Sequence, residues 1–129
     1  MGLAWASVDG STITRPLRLT VAEAASGRAA VVKVEGEFDL SVEALFDEVV
    51  IDGVVQNGHA SVVLDLSGLA FIDLAGVHAL VRARAAAHAR GSRLVLLRPS
   101  RPTQRLLELC GLTDGFELTW DTLRSTAEL

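Results

Sequence analysis

Residues 62–77 read Val62-Val63-Leu64-Asp65-Leu66-Ser67-Gly68-Leu69-Ala70-Phe71-Ile72-Asp73-Leu74-Ala75-Gly76-Val77. The stretch Ser61 to Leu66 is an apolar run with Asp65 near its end, the pattern of a central strand covered on both faces. The loop Phe71-Ile72-Asp73-Leu74-Ala75-Gly76 follows. Leu74 to Arg90 is then an Ala-rich helix that stops at Gly91, a residue suited to a left-handed helix end. A buried strand feeding a helix is the repeating unit of an α/β layer, and the loop lies at the carboxyl side of the strand, where open α/β sheets place their sites. Asp73 reads as an N-cap whose carboxylate accepts N–H bonds from the first helical turn. Gly76 has two readings: close backbone packing in that turn, or room for a partner or phosphate at the positive helix end.

Working outward, Leu17, Leu19 and Val21 alternate with Arg18 and Thr20, the period of a half-buried strand. Ser26-Gly27-Arg28 is a turn, and Ala30 to Glu35 is a second strand pairing antiparallel with the first. Gly36-Glu37-Phe38-Asp39 breaks it. Ser41 then caps a helix with Glu43 in its first turn, which runs to Asn57-Gly58 with Gly53 as a weak point inside it. Beyond Gly91, Arg93 to Leu97 is a strand that Pro99 ends, Ser100 to Gly111 a short capped helix, and Phe116 to Thr119 a short edge strand. The expected order is β-β-α-β-α-β-α-β: a small mixed sheet, mostly parallel with an N-terminal hairpin, packed with helices. Residues 1–16 read as an extension, 17–120 as the domain and 121–129 as a polar tail.

The 129 residues are enough for one core without disulfides or metal. Half of them are hydrophobic but only 5% are aromatic, so the core is built from Val, Leu, Ile and Ala. A net charge of −4 with scattered arginines argues against nucleic acid as a partner, because phosphate neutralisation needs clustered cations. Cys110 stands alone and reads as a small packed hydrophobe near a helix end. Met1-Gly2-Leu3 leads into no signal-peptide pattern, and no run approaches the ~18 apolar residues of a membrane span. A soluble cytoplasmic protein without a membrane partner is expected.

Catalytic patterns are missing. His59, His78 and His88 have no Glu or Cys companions at metal-ligand spacing, and neither a nucleophile elbow nor a glycine-rich phosphate loop occurs. The expectation is no enzyme, no metal and no cofactor. Among other phosphorylatable groups, Ser67 reads as a turn former, Ser41 as a cap and Thr113 as a plain surface site. One rival is a receiver-like phosphoacceptor using Asp65. That chemistry needs an acidic pair and a late lysine, whereas Val21-Ala22-Glu23 offers one carboxylate and Lys33 lies in the second strand.

Three stretches between Val31 and Leu112 carry a family resemblance. Gly36-Glu37-Phe38-Asp39 is similar to G-E-hydrophobic-D, Asp65 to Gly76 to D-L-S-x-x-x-F-I-D-S-S-G, and Leu106-Leu107-Glu108-Leu109-Cys110-Gly111-Leu112 to L-L-E-x-x-G-L. These are the patterns of the STAS domain of bacterial anti-sigma factor antagonists, and they span about two-thirds of the chain. The resemblance implies a protein that binds an anti-sigma factor, kinase-type or not, and so frees a sigma factor. In the family the second serine of D-S-S-G is phosphorylated by a kinase that is also the anti-sigma factor, and the phosphorylated form lets go. Here the acceptor position falls on Ala75 and the serine beside it on Leu74, so neither hydroxyl exists. Asp39 and Asp73 match the acidic residues beside the acceptor. A phosphoserine there would add about −1.5 to −2 charges next to two carboxylates in a packed interface. Ala75 instead resembles the unmodified serine in size and neutrality. The resemblance thus implies partner binding without that switch. The alternatives are a scaffold subunit assembled with other STAS proteins, or a homodimer, and the loop does not discriminate a nucleotide from a protein ligand.

Helix geometry places Ala75, His78, Ala79, Arg82 and Ala86 on one arc and Leu74, Val77, Leu80 and Val81 mostly on the other. The expectation is that the second arc is buried and the first faces a partner together with Asp39, Asp73, Leu74 and Gly76, His78 and Arg82 acting as polar specifiers. Arg84 and His88 fall near the buried arc, which requires them to snorkel.

Overall fold

The computed structural model describes residues 4–9, as backbone, and residues 17–120. The strands are β1 (Ala4–Asp9), β2 (Leu17–Glu23), β3 (Ala29–Phe38), β4 (Ser61–Asp65), β5 (Leu69–Ile72), β6 (Arg93–Leu97) and β7 (Glu117–Thr119). They form one sheet in the order β1-β2-β3-β4-β6-β7, with β5 also paired to β3. β1, β2 and β3 are antiparallel neighbours, and every other pairing is parallel. The expected mixed, mostly parallel sheet is therefore present, with two strands more than the pattern indicated.

The first addition is β1, inside the segment read as an extension; it pairs along its length with β2, Ala4 opposite Glu23 and Asp9 opposite Arg18. The other is β5, inside the segment read as loop. β3 does not end at Gly36 but changes partner there. Its first half pairs with β4, Ala29 with Ser61 through Lys33 with Asp65, and its last residues pair with β5, Phe38 with Ile72. The register shifts between Gly36 and Glu37, and Gly36 takes φ +104°, a conformation open to glycine at little cost. The bulge lets one strand serve two successive neighbours on the same side.

The first helical segment is also less regular than its sequence suggests. It opens as a 3-10 turn (Leu40–Val42), passes through one α turn, α1 (Glu43–Phe46), widens into a π-helix (Asp47–Val54) and tightens again (Val55–Asn57) before Gly58. Gly53 does not break it. Its N-cap is Asp39, not Ser41: the Asp39 Oδ1 accepts from Ser41 N at 2.9 Å and from Ser41 Oγ at 2.5 Å. A carboxylate is the stronger acceptor, so the serine becomes its donor.

α2 (Leu74–Ala89) and α3 (Arg101–Leu109) complete the helices. α2 packs on β6 and on the π-helical stretch, and α3 on β5. One core joins these helices to the sheet face carrying Leu17, Leu19, Val32, Val34, Leu64 and Leu96. At its centre the rings of Phe38 and Phe46 lie 4.9 Å apart at 52°, a tilted aromatic pair. The opposite sheet face holds a smaller buried cluster of Val31, Val63, Val95 and Leu97.

Candidate functional site

β3 and β5 run parallel and side by side, so the two helical segments that follow them begin next to each other. The backbone ties them: Asp73 N donates to Phe38 O at 3.2 Å. Each strand is followed by an aspartate in extended conformation that caps the next helix. Asp39 does so for the first segment, and the Asp73 Oδ1 accepts from Ala75 N at 3.0 Å and Gly76 N at 3.2 Å. The sequence reading of Asp73 as an N-cap holds. Asp73→Ala is expected to cost about 1 kcal/mol, because the Ala75 and Gly76 amides lose their acceptor. Urea unfolding measures it, and a change below a few tenths would show that the cap contributes nothing.

The residues around this double cap follow the expected helix arcs in part: Val77 and Leu80 are buried as expected, whereas Leu74 and Ala79 change sides. Leu74 is 55% exposed, Ala75 half-buried and His78 exposed. Gly76 is buried, and a Cβ on it would stand 2.6 Å from Ile72 Cγ1 and 3.1 Å from Phe38 Cγ. Of its two readings, close packing is the one observed. Ala79, expected on the outward arc, is fully buried with Gly76, Ala83 and Ala87. Small side chains share the buried stripe with Val77 and Leu80 and let the helix axis come close to its neighbours, and Leu74 is turned outward.

Arg82 is half-buried and committed within the molecule. Its Nη2 lies 2.9 Å from Asp47 Oδ1, 3.0 Å from Asp47 Oδ2 and 2.9 Å from Glu43 Oε2, tying α2 to the first helical segment. The hydrogen bond to Asp47 is the main cause of a guanidinium pKa raised above its ordinary value. A specifier for a partner would have to break this pair. Arg84 does not snorkel past apolar neighbours; it donates to Gly115 O and lies 4.7 Å over the Phe116 ring, while His88 is exposed.

Two residues at this end of the molecule were not among the expected site residues. Leu40 is 69% and Phe71 47% exposed. Leu40 starts the first helical segment, Phe71 pairs with Glu37 on β5, and Leu74 starts α2, so three large apolar side chains leave the adjacent ends of β3 and β5. Surface apolar residues are ordinary singly; these three stand at the ends of two neighbouring strands.

Among the described residues, the alternatives find no assembled chemistry. Asp65 is buried; its Oδ1 accepts from Ser67 N at 3.0 Å and Ser67 Oγ at 2.8 Å, and its Oδ2 lies 3.6 Å from Arg98 Nη2. Glu23, the carboxylate a receiver would need nearby, sits toward the other end of the sheet opposite Ala30 and contacts His59 Nε2 at 2.6 Å. Cys110 is exposed at the end of α3 rather than packed. Among the described residues, no group of three or more His, Cys, Asp or Glu could hold a metal, and no helix is long and apolar enough to cross a membrane.

The same architecture recurs in solved structures. The Thermotoga maritima protein TM1081 aligns with a TM-score of 0.69 at 22% identity, over 78% of this chain and 86% of its own. An anti-sigma factor antagonist from Mycobacterium paratuberculosis aligns with a TM-score of 0.65 at 20% identity, over 95% and 94%. The anti-sigma factor antagonist SpoIIAA in its unphosphorylated form aligns with a TM-score of 0.63 at 17% identity, over 97% and 96%; its phosphorylated form, from Bacillus, has the same fold. At these identities the likeness is one of fold. No curated protein matches the sequence. The model of the STAS domain matches residues 20–126, from within β2 to beyond β7. That match covers most of the sequence, and the chain belongs to the STAS domain family.

Proposed function

We propose that this STAS chain is a cytoplasmic, non-catalytic anti-sigma factor antagonist that binds its partner at the junction of β3, β5 and α2, and that binding there is not switched by phosphorylation of the Asp73 loop. The observation that carries the reading is Ala75. It sits half-buried in the first turn of α2, its amide held by Asp73 and its methyl group offering no oxygen for phosphoryl transfer. Asp39 caps the neighbouring helix, so the acidic surroundings in which a phosphate would be repelled are retained. Beside them Leu40, Phe71 and Leu74 supply an exposed apolar surface of the kind that docks a protein. The protein is thereby held in the form that an unmodified serine would give, and its amount rather than its modification sets how much partner is captured.

The test incubates the chain with each purified anti-sigma factor of its source organism and ATP. The wild-type chain is expected to bind one of them and to acquire no phosphate on residues 73–76. Ala75→Ser is expected to become phosphorylated by a kinase-type partner and then to lose most of its affinity. Stoichiometric phosphate on that loop in the wild-type chain would sink the proposal.

A further inference from the structure

Opposite charges are segregated along the chain. Residues 34–81 hold nine of the 16 Asp and Glu residues and no Lys or Arg, and residues 82–107 hold seven of the 12 Lys and Arg residues, all of them Arg, and no acid. Folding pairs much of this charge inside the molecule. Arg82 meets Glu43 and Asp47, Arg93 meets Glu117, Arg98 stands 3.6 Å from Asp65, and Arg84 and Arg90 donate to the carbonyls of Gly115 and Gln56. What is left of the seven arginines is Arg101 and Arg105, and what is left of the acids on the first helical segment is Glu48 and Asp52. Among the described residues the side chains of these four make no ion pair or hydrogen bond, and all four are exposed. Each pair lies on one ridge of its helix. α3 presents Arg101, Arg105 and Leu109 at intervals of four residues, Leu109 being 75% exposed. The π-helical widening sets the first segment on the same interval: Val42, Phe46, Val50 and Val54 are buried, and Ala44, Glu48, Asp52 and Gln56 are exposed.

We infer that this chain associates with a second copy of itself through these two ridges, α3 of one copy lying antiparallel on the first helical segment of the other. Arg101 then faces Asp52, Arg105 faces Glu48, and Leu109 rests on Ala44. The shared interval of four residues lets all three contacts form together, and antiparallel helices also oppose their dipoles. Any other partner would have to supply both the charges and their spacing; a second copy already has them. Each copy carries both ridges, so the contact is made twice in a closed pair or passes from copy to copy. Exposed ion pairs contribute little singly, so the association is weak, rises with concentration and is loosened by salt. Glu108, the one acid of α3, flanks the arginines and opposes the contact. Self-association of this kind is independent of the anti-sigma reading.

The test follows the full-length chain by sedimentation velocity over a concentration series at ~0.01 M and ~1 M salt, where charges are screened over about 30 Å and about 3 Å. The sedimentation coefficient is expected to rise with protein concentration at low salt and to stay at the monomer value at high salt. Arg101→Glu combined with Arg105→Glu sets acid against acid, and Glu48→Arg combined with Asp52→Arg sets base against base. Each double variant alone is expected to associate at least ~10-fold more weakly than the wild-type chain, because two attractions become two repulsions. Mixing the two double variants restores opposite charges at the contact, and association is expected to return, a rescue that misfolded variants would not give. Glu108→Gln is expected to tighten association, and Leu74→Glu, at the surface proposed for the anti-sigma factor, to leave it unchanged. A wild-type chain that stays monomeric at every concentration in low salt, association that persists in either double variant, or a mixture of the two that stays monomeric would overturn the inference. Weaker association of Glu108→Gln or of Leu74→Glu would overturn it as well, since the contact would then lie elsewhere.

Discussion

Phe38→Ala is expected to lower the stability of the chain by about 3–5 kcal/mol. Phe38 is fully buried, its ring is paired with Phe46, and it stands where β3 hands the chain from the sheet to the first helical segment. Truncation removes the transfer free energy of a benzyl group and leaves a cavity bounded by Phe46, Ile72 and the backbone of Gly76, none of which can collapse far without moving β5 or α2. The matched control is Phe71→Ala. It removes the same side chain one strand away, but Phe71 is nearly half exposed and points toward the proposed partner. Its cost should stay below about 1 kcal/mol, as expected for a surface change. Urea unfolding of the two variants gives the comparison. Equal losses would mean that β5 presents the wrong face, and with it the proposed patch would go.

The contrast between these phenylalanines shows which features the sequence made legible. β4 and β6 were readable from their continuous apolar runs, Val62 to Leu64 and Leu94 to Leu97, and every residue of β4 is buried. The span of α2 was readable because Asp73 and Gly91 end it with local chemistry, a cap and a left-handed turn at φ +74°. β5 was not, because Leu69 and Ile72 are buried while Ala70 and Phe71 between them are exposed, a pattern without period 2. The continuation of β3 past Gly36 was hidden for a similar reason. The bulge is needed only because β4 ends and β5 takes its place, and that exchange is tertiary.

The candidate site divides along the same line. Asp39, Asp73 and Ala75 could be placed from the motif, and the caps they make or receive are local hydrogen bonds. The facing of α2 could be placed only in part. The helical wheel correctly put Val77 and Leu80 inside, but it also put Leu74 inside and Ala79 outside, whereas Gly76, Ala79, Ala83 and Ala87 share the buried stripe and Leu74 is left outside. Arg82 was assigned to a partner because Glu43 and Asp47 lie 39 and 35 residues earlier, a distance over which charge pairing cannot be read from spacing. Leu40 and Phe71 were missed because nothing local distinguishes an exposed apolar residue from a buried one.

Gly76→Ala puts the closeness of α2 to the sheet to a test in which sequence and structure predict opposite signs. In a helix interior, alanine is favoured over glycine by about 1 kcal/mol, so sequence alone expects the substitution to stabilise. The structure places the new methyl carbon 2.6 Å from Ile72 Cγ1 and 3.1 Å from both Ile72 Cδ1 and Phe38 Cγ. Cγ1 is attached directly to the Ile72 Cβ and cannot swing away as a chain end would, so β5 or the first turn of α2 must shift. Overpacking of this kind costs about 1–3 kcal/mol, and a net destabilisation of up to about 2 kcal/mol is expected once the ~1 kcal/mol of helix propensity is subtracted. The shift would also displace Ala75 and the Asp73 cap, so affinity for the partner proposed above should fall along with stability. Ile72→Ala removes the obstructing carbons. In a double-mutant cycle its combination with Gly76→Ala should be less damaging than the sum of the two single variants by on the order of 1 kcal/mol. A Gly76→Ala variant more stable than the wild-type chain would mean that α2 stands off the sheet. The outward rotation of Leu74 would then lose its cause.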